Sequence, residues 1–457
     1  MIVSFSVANF RSFSSEETLS LVASNRMSGT HPAHALPIPD SNEKVLKTAV
    51  LYGANGAGKS NLFKALRYLE TVALKSRKKN TGTGREVFRF GGDAAEPSVF
   101  DLQFIAGEKL YRFGFKVDDV RITEEWLVRV IGAREKPLYE RITDQTGNVT
   151  IEAKGLAGVG KKLDALVTIG GPQNQSFLAT INATLDELDV GQELGSILSW
   201  FNKSLTLIEP NAPFGPLGNL LSTDSEFLKF SSDFLKSSST GVDRLDVVKK
   251  EITEEDLRGL LDESVVASLL EGVREDEEGG ALIRLGEGSE LRIERTDENH
   301  YYSITIQAVH EHQSGTVIPL DLAQESDGTR RLLNLIPALH HLRTSHAAYF
   351  IDEIDRSMHP LLVFKFLEFF LKSCDGDQRQ IIVTTHESNL LDLDLLRRDE
   401  IWFVEKDKDA ASRLYSLVDF NIRKDLDIRK HYLFGRFGAV PFMGGFDRLL
   451  TESCQPE

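Results

Sequence analysis

Cysteine is nearly absent. The 457 residues hold two, Cys374 and Cys454. That number excludes a structural zinc site and a disulfide framework, and it fits a reducing cytoplasm. Long hydrophobic runs are missing too. No stretch reaches the ~18 apolar residues that span a membrane, and the N-terminus, MIVSFSVANFRSF, lacks the basic start and long apolar core of a signal peptide. The expectation is a cytoplasmic protein with no membrane contact. No heptad pattern lasts three or four heptads, so long coiled-coil arms are not expected, and no internal repeat is found. Positive charge is in deficit: 53 Lys and Arg against 69 Asp and Glu give a net charge of −16. A generally basic nucleic-acid coat is thereby excluded, though a local basic groove is not. What remains, 41% apolar and 27% charged, is ordinary globular composition. The length predicts two or three domains, or one large domain with an insertion.

Along the chain, Met1 to about Phe13 alternates like an edge strand, and 24–42 reads as loop. Val45 to Tyr52 reads as a strand, followed by GANGAGKS and the helical pattern NLFKALRYLETVAL, which ends in the basic tract Lys75 to Lys79. From Val99 to Glu152, strand patterns separated by turn signals predict an antiparallel sheet. From about Lys161 to Leu270 the periodicity becomes helical, ending in the acidic run Glu275 to Glu278. Short strands return at ALIRL, ELRIER and YYSITIQAV. From Gln324 onward the pattern is α/β: a helix over Thr329 to Leu342, strands AAYFID, QIIVTTH and EIWFVEK, with a helix after each of the first two.

Gly53-Ala54-Asn55-Gly56-Ala57-Gly58-Lys59-Ser60 matches G-x-x-x-x-G-K-[ST] in full, between an apolar strand and a helix. Glycines let backbone N–H groups nest around phosphates, and the helix N-terminus adds its positive end. Lys59 is expected to reach the β- and γ-phosphates of ATP, the Ser60 hydroxyl to ligate Mg²⁺, and Asn61 to continue the cradle. A partial match at Gly155 to Lys162 has lysine where the hydroxyl belongs and no strand before it, so it reads as a loop entering a helix. The strand ending in Asp352-Glu353 supplies the rest of a nucleotide site: Asp352 to hold Mg²⁺, Glu353 to polarise the attacking water. The next strand ends in His386, a core or capping histidine by itself, but in this series a neutral imidazole for the γ-phosphate. Gln324-Glu325-Ser326-Asp327-Gly328-Thr329 opens a helix. Ser326 and Gly328 there form either a second anion site or an ordinary N-cap.

In this order the motifs resemble the ATP-binding-cassette ATPases of the SMC/RecF class. The resemblance implies an α/β ABC-type ATPase head: a phosphate-loop mixed sheet with flanking helices, an antiparallel β subdomain, a mostly helical insertion and no long coiled coil. The expected partition is 1–155 for the first half of the head, 156–280 for the insertion and 281–457 for the second half. It further implies that Ser326 and Gly328 of one subunit complete the ATP site of another, giving an ATP-sandwiched homodimer or higher assembly. Ile354 to His359 falls where the D-loop sits. Asn9-Phe10-Arg11-Ser12-Phe13 is similar to the opening of such heads, where an arginine like Arg11 lies near the nucleotide. The Glu-Ser-Asp-Gly signature, His359-Pro360, Arg398 to Phe403 and the tail Tyr432 to Pro441 look like a bacterial subgroup of RloA-like and AbiL-like AAA proteins from restriction-linked and abortive-infection loci. Two features depart from the cassette pattern: the signature is not Leu-Ser-Gly-Gly, and the Q-loop glutamine has no secure place, Gln103 reading as a strand residue.

Relatives in the overcoming-lysogenization-defect group carry a TOPRIM nuclease, which needs on the order of 100 residues. The stretch after His386 is too short for one, and Asp392-Leu393-Asp394 reads as surface charge and capping. His310 and His312 read as a solvated hairpin rather than a metal pair. The resemblance therefore implies an anti-phage switch acting through a separately encoded nuclease or toxin. The rival is a RecF-type repair clamp contacting nucleic acid through Lys75 to Lys79, Arg330-Arg331 and Arg429-Lys430. A scaffold that binds ATP without turnover is a third reading, against which Glu353 counts.

Overall fold

The computed structural model describes residues 1–78, 81–91, 95–211, 217–267, 280–286, 289–294, 300–312, 314–344, 346–373, 378–423 and 426–440. Two compact units group Met1–Pro210, Ser345–Asp355 and Phe364–Glu457 in the first, and Asn211–Thr344 and Arg356–Val363 in the second.

The first unit begins with β1 (Ile2–Ala8), β2 (Glu17–Ser20), β3 (Ala35–Pro37), β4 (Lys44–Leu46), β5 (Thr48–Tyr52) and α1 (Lys59–Leu74). β6 (Ser98–Ala106), β7 (Lys109–Val117), β8 (Ile122–Ile131), β9 (Arg134–Thr143) and β10 (Val149–Glu152) follow as antiparallel neighbours. With β1 and β2 they make a seven-stranded sheet, β10-β9-β8-β7-β6-β1-β2. Then come α2 (Lys161–Ile169), α3 (Phe177–Thr184), α4 (Gly191–Ser199) and β11 (Leu205–Ile208).

The second unit contains α5 (Leu217–Thr223), α6 (Ser225–Ser237), β12 (Arg244–Ile252), α7 (Glu254–Leu260), β13 (Gly280–Gly286), β14 (Ser289–Glu294), β15 (His300–Glu311), β16 (Val317–Asp321) and α8 (Asp327–Thr344). Its sheet runs β12-β15-β14-β13, and β16 also pairs with β15. The chain continues through β17 (Ala348–Ile351), α9 (Pro360–Ser373), β18 (Gln380–Thr384), β19 (Ile401–Lys406), β20 (Ser412–Ser416) and α10 (Ile428–Leu433).

The sheet that carries the motifs has the order β11-β17-β18-β5-β19-β20. Its neighbours are parallel except for the β19–β20 hairpin. TAVLY, AYFI and QIIVT are buried along their whole length, as strands covered on both faces must be. α1 lays Leu62, Phe63, Leu66 and Leu69 against this core, with Phe63 edge-on to Phe350 of β17 at 5.4 Å. β3 and β4 form a two-stranded sheet of their own, and a buried amide ties this unit's three sheets together. Gln380 of β18 accepts from the Ile2 N–H at 2.7 Å and donates to the Ile2 and Leu46 carbonyls at 2.8 and 2.9 Å.

Three expectations differ from this architecture. The compact units do not part at 155/156 and 280/281. Leu163, Phe177, Ile181, Leu194 and Ile197 of α2–α4 belong to the core that also holds Phe104 and Phe113, so the first unit runs on to Pro210. The region 156–280 is not helical throughout, because β12 pairs along its length with β15. Leu245 is the one fully buried residue of β12, so the strand has almost no apolar alternation to read. Between β18 and β19 there is no α-helix but short 3₁₀ turns, Ser388–Leu390 and Arg398–Glu400. Asp392 accepts from the Asp394 N–H at 2.8 Å, a local bond that competes with a helix ladder.

The antiparallel sheet of 99–152, the helix entered at Lys161 and the strands at AAYFID, QIIVTTH and EIWFVEK match the sequence pattern. Among the described residues the longest helix, α8, has 18 residues, and no helix is long and apolar enough to cross a membrane. Lys79 and the acidic run 275–278 lie outside the described residues. Residues 211–344 carry 25 Asp or Glu against 13 Lys or Arg, so most of the net negative charge sits in the second unit's stretch of sequence.

Gln380→Leu removes both ends of the buried amide bridge. It should destabilise the protein by about 2–3 kcal/mol, the cost of leaving buried backbone groups unpaired, read as a lower midpoint in chemical denaturation.

Candidate functional site

Three neighbouring parallel strands, β17, β18 and β5, end at the same edge of the sheet, where open α/β sheets hold ligands. β5 delivers residues 53–60. A Cβ on Gly53 would meet the Val404 carbonyl oxygen at 2.4 Å. Gly58 has φ +121° and caps α1, and a Cβ there would meet Ser412 Oγ at 2.1 Å and Ser12 Oγ at 2.9 Å. Glycine is thus required at both ends of the tight loop. The loop then passes directly into α1, whose first N–H groups have no intrahelical partner.

Lys59 is buried and folds back over its own loop. Its ammonium donates to the Gly53 carbonyl at 2.7 Å, to that of Ala54 at 3.4 Å and to Nε2 of His386 at 3.0 Å. β17 supplies Asp352, buried, and Glu353, whose φ of +49° is unusual for a side-chain-bearing residue. Thr384 of β18 fixes both. Its hydroxyl donates to Asp352 Oδ1 at 2.5 Å and accepts from the Glu353 N–H at 2.8 Å. The His386 N–H donates to the Asp355 carboxylate at 3.2 Å. Residues 54–61, Glu353 and His386 surround a cavity of about 340 Å³. The structure therefore brings Lys59, Ser60, Glu353 and His386 together, with Asp352 one hydroxyl behind.

The electrostatics follow from the burial. Loss of hydration pushes the Lys59 pKa down to about 8, although Asp352, Asp355 and Glu353 pull it upward. Partial burial also lowers the pKa of His386, and the Lys59 cation lowers it further. A charged ammonium donating to a neutral imidazole satisfies both groups. The Ser60 hydroxyl lines the cavity without a protein partner among the described residues. A hydroxyl and a buried carboxylate beside a phosphate loop are hard oxygen donors, a set that fits Mg²⁺. Among the described residues no group of three or more His, Cys, Asp or Glu side chains is placed to hold a metal by itself.

Other expected residues fall elsewhere. Arg11 forms an ion pair with Glu86 and does not line the cavity. Its neighbour Ser12 reaches the loop instead, accepting from Asn61 Nδ2 at 2.8 Å and from Ser412 Oγ at 2.7 Å. Ser412 Oγ also lies 2.6 Å from the Ala57 carbonyl. Thr384, Ser12 and Ser412 escaped the sequence reading. Thr384 stands in a recognisable TTH strand end and Ser12 in the N-terminal motif, whereas Ser412 has no local signal.

Ser326 and Gly328 belong to the second unit. Ser326 Oγ accepts from the Thr329 N–H at 3.1 Å, so it is an N-cap of α8. His310 pairs with Glu325, and His312 contacts Ser314 in the β15–β16 hairpin turn. Gln103 lies within β6, paired with Arg112 of β7. Lys75 and Lys78 are exposed at the end of α1, and Arg429 and Lys430 are exposed on α10.

A family model described as "AAA domain, putative AbiEii toxin, Type IV TA system" matches residues 49–157 and 186–392. No curated protein matches. Similar solved structures include the SMC head domain from Thermotoga maritima, at 12% identity and a TM-score of 0.37, covering 92% of this chain and 99% of that one. An SmcHead bound to the C-winged helix domain of ScpA has 13% identity and a TM-score of 0.36, covering 91% and 97%. An Smc head domain with an extended coiled coil, bound to the C-terminal domain of ScpA derived from Pyrococcus furiosus, has 13% identity and a TM-score of 0.35, covering 95% and 98%.

A polyanion seated in the loop would raise the Lys59 pKa again, so binding takes up protons near pH 8. Triphosphate affinity should fall by about tenfold per pH unit well above 8, where the ammonium must first be protonated. Calorimetry in two buffers of different ionisation enthalpy measures that uptake. A pH-independent affinity from 7 to 10 would contradict it.

Proposed function

The chain belongs to the AAA-domain family described with the putative AbiEii toxin of a type IV TA system, and from that membership we propose that it is an Mg²⁺-dependent ATPase working as an assembly switch. AAA domains are ATPase domains, so nucleotide binding goes with the family. The observation that carries the finer reading is the convergence of Lys59, Glu353 and His386 on one cavity roofed by residues 54–61.

In this reading, backbone N–H groups of 54–60 cradle the phosphates, with Asn61 closing the first turn. Lys59 exchanges the Gly53 and Ala54 carbonyls for phosphate oxygens and so releases His386. The imidazole is then free to hydrogen-bond the terminal phosphate or its attacking water. Glu353, held in place by Thr384, takes the proton of that water. Ser60 and Asp352 would hold Mg²⁺, which neutralises phosphate charge when bound. Arg11 enters this reading through its neighbour: the turn it occupies sets Ser12 against the loop. Ser326 and Gly328 of one subunit would meet the nucleotide of another, so that ATP occupancy drives a homodimer or higher assembly.

We further propose a place in a bacterial defence system, with the assembly controlling a separately encoded nuclease or toxin. The family description, which names a toxin of a type IV system, supports that reading. The exposed basic residues Lys75, Lys78, Arg429 and Lys430 leave room for a local nucleic-acid contact.

Lys59→Ala should abolish phosphate release. Glu353→Gln should lower kcat by about 10²-fold or more while still binding ATP, and should accumulate an ATP-bound dimer on size-exclusion chromatography. Wild-type turnover in Glu353→Gln would overturn the assignment of the base. Retained turnover in Lys59→Ala would overturn the site.

A further inference from the structure

The second unit contains a buried carboxylate beside the residue that would meet the nucleotide. Glu325 directly precedes Ser326, and its side chain is 6% exposed. In a loop meant to face a triphosphate, an acidic residue needs an explanation. A bare carboxylate there would be both poorly solvated and repelled by the ligand.

The fold answers with His310. Its Nε2 lies 2.7 Å from Glu325 Oε1 and is the one hydrogen-bond partner of that carboxylate among the described residues. His310 sits near the end of β15, opposite Ile318 of β16 in the register. A second tie, Gln307 Nε2 to Asp321 Oδ1 at 3.1 Å, runs from the same strand to the end of β16. Asp321 in turn opens a capped 3₁₀ turn, Leu322–Gln324, in which its N–H donates to Gln324 Oε1 at 3.0 Å. The turn feeds straight into Glu325 and Ser326.

On its far side the loop is limited by backbone: a Cβ on Gly328 would meet the Ser357 carbonyl oxygen at 2.7 Å. The other carboxylate near His310, Asp243, already has partners. It accepts from the Glu311 N–H at 2.7 Å and pairs with Lys236 at 3.3 Å. The one hydrogen bond of the imidazole among the described residues goes to Glu325.

We propose that His310 is a positioning residue for the signature loop: by binding the Glu325 carboxylate it fixes Ser326 and Gly328 and keeps a bare negative charge away from the nucleotide triphosphate. The inference rests on the reading that this loop meets ATP. His310 touches no substrate and acts through Glu325.

The test is a set of ATPase titrations on the full chain. His310→Ala should raise the KM for ATP at least tenfold, with a smaller effect on kcat at saturation. His310→Gln keeps an N–H donor and should retain a KM close to wild type. Adding Glu325→Gln to His310→Ala removes the stranded charge and should bring KM back to within about threefold of wild type. A merely structural role for His310 predicts no such recovery.

An unchanged KM in His310→Ala, or a double variant no better than the single, overturns the inference. Ser326→Arg separates the two levels. If it hydrolyses ATP like wild type, the reading of the loop itself has failed. If it is inactive while His310→Ala is unaffected, the role of His310 alone has failed.

Discussion

An ammonium group held out of water sets the terms for the nucleotide edge of this protein. Lys59 is 5% exposed, and a lone cation in that position would carry a desolvation penalty of several kcal/mol. Two carbonyl oxygens of its own loop, an imidazole nitrogen and the field of Asp352, Glu353 and Asp355 offset that penalty. None of these groups is close to Lys59 in sequence except the two carbonyls. The strand order β17-β18-β5 is what makes them neighbours, and the parallel direction puts their loops at one edge.

What could be read from the sequence was whatever is local. Residues 53–60 declare themselves because the whole phosphate-loop pattern lies in eight consecutive residues between an apolar strand and a helix. AAYFID and QIIVTTH declare themselves because a strand buried on both faces needs an unbroken apolar run. The residues that steady the site are less visible. Ser412 reaches the phosphate loop from a hairpin more than 350 residues away, and a serine at the start of a strand carries no mark of its partner. Thr384 works through two hydrogen bonds to a neighbouring strand, which register alone decides. β12 was hidden for another reason. Its faces are mostly exposed, so it pairs by backbone with β15 while lacking the alternation that identifies a strand. Arg11 shows the opposite failure: the motif was found, but the side chain that reaches the loop belongs to its neighbour.

Charge separates the two units as clearly as contacts do. The imbalance of acidic over basic residues in 211–344 accounts for most of the overall deficit, while the first unit is closer to neutral. Within that acidic unit, carboxylates near chain turns are given specific duties. Glu290 accepts from the Gly218 and Asn219 N–H groups at the start of α5, and Asp224 caps α6. Glu325 fits the same economy of paired carboxylates. The negative balance first reads as an argument against nucleic acid, yet it is a property of one unit more than of the molecule.

The Gln380 bridge has a consequence for how the chain is made. Ile2 and its amide partner are 378 residues apart, and β5 finds β18 across a comparable separation. At roughly 5–20 residues per second, a ribosome emits that interval in roughly 20–75 s. Throughout that time β1 and β5 have been synthesised without the strand that completes them. Their apolar faces, Val3, Phe5, Val50 and Leu51 among them, must wait for β18 to emerge. Such a topology folds by long-range closure, and the cavity lined by residues 54–61, Glu353 and His386 can form only after β18 has emerged.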